Sequence, residues 1–170
     1  DSDDYFKKKK VETIIKKFQE TDSNKILFDL PVFKFKKKLV LKKFIQKSFI
    51  LSSWPRFTPQ SCISIERNYA IKIFKILNIK KYPTLWLDFR IATITFLYFK
   101  KIFIFHKYLT YYRQLNTSAS KKYTTMSKNW WIRRKEAHSF FSNISKKLNV
   151  KNRITSDEVI TKVVNFFINE

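Results

Sequence analysis

The chain has 170 residues, and 36 lysines and arginines against 13 aspartates and glutamates give it a formal net charge of +23 at neutral pH. It contains no glycine, which excludes the phosphate-binding loops, dinucleotide fingerprints and nucleophile elbows that are built on glycine. Hydrophobic residues make up 44% and aromatic residues 18% of the chain, so it is too apolar for a disordered basic tail. The length fits one ordinary domain or two small ones.

The basic residues are concentrated in the middle of the chain. Between residues 30 and 156 there are 28 lysines and arginines but only three acidic residues, Glu66, Asp88 and Glu136. A free protein with this charge repels itself, so we expect a polyanionic partner. Nucleic-acid phosphates and an anionic membrane surface both meet that requirement.

The amino-acid composition also indicates the base composition of the gene. Lysine outnumbers arginine by 29 to 7, and isoleucine, asparagine and phenylalanine are abundant. These residues have AT-rich codons, whereas glycine, alanine, arginine and proline have GC-rich ones. The composition therefore predicts an extremely AT-rich genome, organellar in the first place, with an AT-rich nuclear genome as the alternative.

The first third of the chain predicts two helices separated by an extended arm. Apolar residues at helical spacing predict a helix over Val11 to Glu20, after a polar lead. Residues 26–35 alternate loosely around Pro31, which predicts a short strand or an extended arm. A second helix with a lysine-rich face is expected over Lys36 to Leu51. Two prolines within residues 54–59 then predict a loop.

The middle of the chain predicts a helical hairpin. A helix is expected over Arg67 to Leu77, ending where Asn78 suits the left-handed conformation. Asp88 is the expected N-cap of the next helix, which runs to about Lys101. The segment Tyr108 to Leu115 is a further helix candidate.

Two helices are expected near the end of the chain, and they complete an all-α prediction. Trp130 to Leu148 is predicted to be helical, and Thr155 and Glu158 have the spacing of a capping box. The closing helix that follows has an apolar face formed by Ile160, Val163, Val164 and Phe167. The predicted organisation is a basic N-terminal arm and helices over 1–60, a helical RNA-binding core over 61–136, and a C-terminal helical extension over 137–170.

The sequence offers little for catalysis, metal binding or membrane insertion. A single cysteine, Cys62, forms neither an internal disulfide nor a thiolate cage, and His106 and His138 lie in unrelated segments without a nearby carboxylate. We therefore expect neither an enzyme nor a bound cofactor or metal. The longest apolar run is interrupted by Lys100 and Lys101, so no membrane span is expected either.

Two clusters of cations are candidates for an RNA contact. The first follows the predicted hairpin, where cations at one corner would grip a nucleic-acid backbone without reading bases: Arg67, Lys72, Lys75, Lys80 and Lys81. The second combines paired tryptophans, one of them expected in the core, with cations that suit base stacking and phosphate binding: Lys128, Trp130, Arg133, Arg134 and Lys135. A third stretch, Lys34 to Lys47, is rich in lysine, and its alternative partners are an RNA groove and a membrane surface.

One of these segments is similar to a known family. The run S-I-E-R-N-Y-A-I-K-I-F-K-I-L-N-I, over Ser64 to Ile79, resembles the helix–two-turns–helix segment of the bacterial-type small-subunit ribosomal protein thirteen family. The matching positions are the turn hydrophobe, the small residue, the aliphatic, the last core residue and the closing pair: Ile65, Ala70, Ile73, Leu77 and Asn78-Ile79. A second, looser resemblance, to the family of small-subunit protein fourteen, involves Cys62-Ile63, Arg67, Ile71 and Phe74.

The first resemblance implies a helix–two-turns–helix core and a structural role in the head of a small ribosomal subunit. Its implied partners are rRNA, neighbouring ribosomal proteins, tRNA and the large subunit. Together with the AT-rich composition, it predicts an rRNA-binding protein of a mitochondrial ribosome. The alternative from another class is an accessory subunit of a mitochondrial inner-membrane complex, with its basic face on anionic lipid.

Overall fold

In the part of the chain that the structure describes, five α-helices combine with a mixed β-sheet. The computed structural model describes residues 4–21, 25–35, 38–44, 53–77, 80–113 and 122–168. The helices are α1 (Lys10–Gln19), α2 (Arg67–Ile76), α3 (Leu87–Phe99), α4 (Lys128–Lys147) and α5 (Ser156–Ile168). The strands are β1 (Tyr5–Phe6), β2 (Ile26–Phe35), β3 (Lys38–Leu41), β4 (Ile63–Ile65) and β5 (Ile104–Arg113).

The sheet is organised around β2. On one side β2 pairs in parallel with β5, which in turn pairs with β1 in the antiparallel direction. On its other side the first residues of β2 pair with β4 and the last with β3, both antiparallel. The parallel register is irregular between Asp29 and Pro31. Pro31 has no backbone N–H to donate, and a proline inside a sheet is tolerated at such irregularities.

The two faces of β2 carry separate hydrophobic clusters, because successive residues of a strand point to opposite faces. Ile26 and Phe28 face a large core that α2, α3 and α4 build, and Leu27 faces a smaller cluster with Ile14 of α1. The sheet is thus covered by α1 on one face and by the main helical layer on the other. In that layer α3 is buried almost all round, as expected of a helix that is apolar on most sides.

The all-α prediction is wrong. Residues 104–113 form β5, which takes in residues 108–113 of the predicted helix Tyr108 to Leu115, and Lys38–Leu41 of the predicted helix Lys36 to Leu51 form β3. The segment over 26–35, predicted to be a short strand or an extended arm, is the central strand. Strand pairing between segments some 80 residues apart overrides the weak local helical pattern, and β5 is rich in the aromatic and β-branched residues that suit a strand. The parts of these predicted helices at 36–37, 45–51 and 114–115 lie outside the described residues.

The helix–two-turns–helix core is part of the same wrong prediction. Where the turn was expected, Ile63–Ile65 forms strand β4 and Ile65 pairs with Ile26 of β2. The two helices that flank the predicted corner do form, as α2 and α3. The predicted domain boundary at residues 60/61 is crossed by the pairing of β2 with β4 and β5, and the boundary at 136/137 lies inside α4.

Helix ends follow the sequence in part. Thr155 caps α5, since its Oγ1 atom accepts the backbone N–H of Glu158. The N-cap of α3 is Trp86 and not Asp88, whose carboxylate lies in the first turn and accepts the N–H of Phe89. Burial raises the pKa of Asp88, although that hydrogen bond and the charge of Arg133 oppose the rise.

Helix α5 packs with its face reversed relative to the prediction. Its buried residues are polar, namely Glu158, Thr161 and Asn165, and the Asn165 amide donates to the carbonyl oxygens of Trp131 and Thr161. The predicted apolar face points outward, and Val163 and Phe167 are 51% and 67% exposed. Among the described residues, none of the helices combines the length and hydropathy that a bilayer span requires.

Candidate nucleic-acid interface

Helix α4 carries the candidate site along two adjacent faces. Residues 130, 133, 134 and 137 recur at helical spacing and line a groove of about 290 Å³. We call it the aromatic groove, and define it by Trp54, Trp86, Tyr123, Trp130, Arg133 and Arg134. Its apolar wall includes Leu85, Phe89 and Ala137.

Both arginines of the aromatic groove lie against aromatic rings. The guanidinium carbon of Arg133 is 3.6 Å from the ring centroid of Trp86 and 4.7 Å from that of Tyr123. The guanidinium carbon of Arg134 is 4.7 Å from the ring of Trp130. Burial lowers the pKa of Arg133, against the opposing charge of Asp88, yet arginine keeps its proton in proteins. The groove therefore presents planar cations and aromatic faces side by side.

The loop before α3 is held by α3 and α4, and this fixes Trp86 in the groove. Arg90 is buried and donates from Nε to the carbonyl oxygen of Leu85 at 3.1 Å and from its terminal nitrogen to that of Tyr82. Glu136 of α4 accepts from both the backbone N–H and the hydroxyl of Thr84, at 3.1 and 2.7 Å. Because the loop backbone is tied at Tyr82, Thr84 and Leu85, Trp86 is presented on a rigid base.

Arg134 also belongs to an ion-pair network that joins α4 to α5. Its Nε and Nη2 atoms lie 2.6 and 2.5 Å from Oδ1 of Asp157, and Nε2 of His138 lies 3.2 Å from Oδ2. Although burial pushes the pKa of Asp157 upward, the hydrogen bonds from His138 and Arg134 hold it below its usual value. The expectation that His138 has no carboxylate nearby is thus wrong, because Asp157 is brought in by the packing of α5.

His138 is also linked to the segment just before Pro55. Its Nδ1 atom lies 3.4 Å from Oγ of Ser53, which is 3.0 Å from Oγ1 of Thr155. Ser53, His138 and Thr155 are all buried. With Asp157 engaged by Arg134 and the serine hydroxyl shared with Thr155, the arrangement connects three segments of the fold.

The structure brings some of the predicted RNA-binding residues together and leaves others apart. Trp130, Arg133 and Arg134 share the aromatic groove, whereas Trp131 is buried and is the tryptophan that belongs to the interior. Lys81 and Lys135 line a second groove, on the next face of α4. The remaining predicted cations are exposed on α2, on the turn after it and at the start of α4: Arg67, Lys72, Lys75, Lys80 and Lys128.

Sequence reasoning missed three aromatic residues of the groove. Trp86 and Tyr123 contact Arg133, and Trp54 lies 5.3 Å from Arg134. Trp54 and Tyr123 come from loop segments that have no periodic pattern, so only the tertiary structure places them. Trp86 had a weak signal, since it directly precedes the predicted helix that begins near Asp88.

Comparisons of the chain with protein-family models, with curated proteins and with solved structures gave no match.

Proposed function

We propose that this protein is an RNA-binding structural constituent of the mitochondrial small ribosomal subunit, placed on rRNA in the subunit head. The observation that carries the proposal is the aromatic groove, where Trp86, Tyr123 and Trp130 lie beside the planar cations of Arg133 and Arg134. Aromatic rings and arginine planes are the surfaces on which unpaired RNA bases stack.

The distribution of charge supports a polyanionic partner. Most of the described carboxylates are engaged within the protein: Asp29 pairs with Lys10, Glu66 with Lys25, Asp157 with Arg134 and Glu158 with Lys162. By contrast, exposed cations near the grooves, such as Lys80, Lys128 and Lys135, form no ion pair among the described residues. The positive charge that remains is directed to solvent, where phosphate binding would release counterions.

The ribosomal and mitochondrial parts of the proposal have a different basis. They come from the resemblance of Ser64 to Ile79 to the protein thirteen family and from the AT-rich residue usage. On this proposal the partners are rRNA and neighbouring ribosomal proteins, with tRNA and the large subunit within reach of the head.

Sedimentation of a native mitochondrial extract tests the assignment. The protein should travel with the small subunit and shift to light fractions after ribonuclease treatment. Detergent alone should leave it in place, whereas high salt should release it. Sedimentation that is unchanged by ribonuclease and abolished by detergent would instead support the accessory subunit of an inner-membrane complex, a role for which the exposed apolar face of α5 is the favouring observation.

A pair of conservative variants tests the groove itself. Arg133→Lys keeps the charge and removes the planar group that contacts Trp86 and Tyr123. Loss of one stacked base corresponds to about 1–3 kcal/mol of binding free energy, so poly(U) affinity should fall roughly 5- to 150-fold while the salt dependence stays unchanged. The matched control, Arg153→Lys in the exposed segment between α4 and α5, should bind like the wild type. Equal affinities for all three proteins would refute the role of the aromatic groove.

A further inference from the structure

The second groove of α4 has a different chemistry from the first. Its volume is about 580 Å³, and it lies between the turn after α2, the second face of α4 and the start of α5. We call it the lysine groove, and define it by Lys81, Lys135, Lys162, Ser139, Ser142 and Asn143. Its lining is cationic and hydrogen-bonding, whereas the aromatic groove is lined by rings.

Three separate segments bring lysines to this groove. Lys81 lies in the turn after α2. The next residue, Tyr82, accepts hydrogen bonds from Arg90 at its carbonyl oxygen and from the side-chain amide of Asn143 at its hydroxyl. Lys135 stands on α4 and Lys162 on α5. Lys135 forms no ion pair among the described residues. Cations that converge on a concave surface raise the local potential and concentrate anions there.

The acidic groups around the groove are already engaged. Glu158 lines it, and its Oε1 atom accepts Nζ of Lys162 at 2.8 Å. His138 lines it as well and faces Asp157 at 3.2 Å, while Asp157 is itself held by Arg134. Glu158 therefore offsets the charge of Lys162, and Lys135 adds a positive charge that no described carboxylate pairs.

A buried hydroxyl provides an independent indication of a polar ligand. Thr161 lines the lysine groove and is 1% exposed, and its Oγ1 atom has no hydrogen-bond partner among the described residues. A buried polar group without a partner is rare, because it costs about 1–3 kcal/mol. Ser139 and Ser142 add hydroxyls on the α4 side, so the groove offers neutral donors next to ammonium groups.

We propose that the lysine groove binds phosphate groups of the RNA strand whose bases enter the aromatic groove. This inference rests on the proposed function and adds a second, backbone-binding site to it. Arg134 lines one groove and its neighbour Lys135 lines the other, so a single strand crossing α4 meets both. Lysine is a phosphate ligand of the point-charge kind, and contacts of this type position a strand without reading its sequence.

The salt dependence of poly(U) binding by the full chain tests the inference. The double variant Lys81→Gln/Lys135→Gln removes two cations from the groove. Each phosphate contact on a single strand contributes about 0.7 to the magnitude of the slope of log K against log salt. The slope of the double variant should therefore be smaller in magnitude by about 1.4 than that of the wild type. For a fourfold rise in salt, the variant should lose about sevenfold less affinity than the wild type. The control is Lys146→Gln/Lys147→Gln, two exposed lysines in the last turn of the same helix, which should change the slope by less than half as much.

Lysine acetylation of the wild-type protein, read by mass spectrometry, gives a measurement that needs no variant. Poly(U) should protect Lys81 and Lys135 from acetylation and leave Lys146 and Lys147 reactive. Wild-type protein that fails to bind poly(U) overturns this inference and the proposed function together. If the wild type binds poly(U) but the double variant has an unchanged slope, phosphate binding by the lysine groove is overturned alone. The same holds if bound poly(U) does not protect Lys81 and Lys135 from acetylation. Competition by poly(glutamate) as strong as that by unlabelled poly(U) would overturn the phosphate assignment in favour of an acidic protein segment.

Discussion

The Nζ atom of Lys10 lies 2.8 Å from Oδ1 of Asp29 in the interior of the protein, where the two side chains are 6% and 0% exposed. Lys10 also donates to Oγ1 of Thr110 at 2.6 Å and to the carbonyl oxygen of Ser61 at 2.7 Å. Thr110 in turn donates to Oδ2 of Asp29 at 2.7 Å. This network links α1 to the two central strands at the place where their register is irregular, so it stabilises the sheet that supports the helical layer.

Replacement of Lys10 by methionine should be strongly destabilising. Breaking a buried ion pair from one side leaves an uncompensated charge and costs about 3–5 kcal/mol, to be measured as the free energy of unfolding in urea at neutral pH. Lys8→Met, at an exposed neighbouring position, should cost less than about 0.5 kcal/mol. Equal stability of the two variants would contradict the role of the network.

The same variant should become less unstable in mild acid. Burial already raises the pKa of Asp29 above 3.8 in the native protein, although Lys10 and Thr110 oppose the rise. Without Lys10 that opposition is weaker, so the folded state takes up a proton at higher pH than the unfolded state. The stability deficit of Lys10→Met relative to the wild type should therefore shrink as the pH falls toward 3.8, and grow as it rises. Urea unfolding of both proteins across this range measures the difference.

The pKa of Asp157 is shifted in the opposite direction from that of Asp29, and its contribution to stability should be lost in acid. Burial alone would raise its pKa, but His138 and Arg134 hold it below 3.8, so the ionised form is favoured in the folded state. Its contribution is therefore present above the unfolded pKa and is lost as the pH falls through the lower, folded value. Asp157→Asn should cost about 1–3 kcal/mol at neutral pH, and its difference from the wild type should vanish in stronger acid. Glu12→Gln, at an exposed position of α1, serves as the control.

The thiol of Cys62 should be inert in the native protein. It is fully buried, and burial, together with the nearby charge of Asp29, raises its pKa to about 12. Because the thiolate is the reactive form, iodoacetamide should label Cys62 only through unfolding. Labelling should be fast in denaturant and accelerated in Lys10→Met. Rapid labelling of the folded wild type would contradict the buried position.

Because α5 packs through its polar face, substitutions on that face should be more destabilising than substitutions on its apolar face. The sequence pattern alone predicts the opposite order. Asn165→Ala removes hydrogen bonds to the carbonyl oxygens of Trp131 and Thr161 and should cost about 1–3 kcal/mol. Val163→Ala, two positions earlier on the exposed face, should cost less than about 0.5 kcal/mol. Urea unfolding of both variants provides the comparison, and a larger loss for Val163→Ala would show that α5 packs through its apolar face.

Local sequence signals identified the helices well and the strands poorly. The periodic segments that contain α1, α2 and α4 and the capping position at Thr155 were readable, because helical hydrogen bonds and caps join residues close together in sequence. The local pattern of residues 108–115 predicts a helix instead of strand β5, because the pairing of β5 with β2 depends on residues far away in the chain. The part of the aromatic groove that α4 contributes, Trp130, Arg133 and Arg134, was predictable because these residues are close together in sequence. The other half depends on Trp54, Trp86 and Tyr123, which approach α4 only in the folded protein.

The sequence by itself determined the charge of +23, the absence of glycine, and the run Trp130 to Lys135 in which cations and tryptophans share one helix. The tertiary structure decided which of those charges remain available: it pairs Arg134 with Asp157, buries Trp131, and turns the polar side of α5 inward. The physical reason is the range of the interactions. Composition and helical spacing are properties of short segments, whereas ion pairs, grooves and the choice of a buried face arise between elements that meet only on folding.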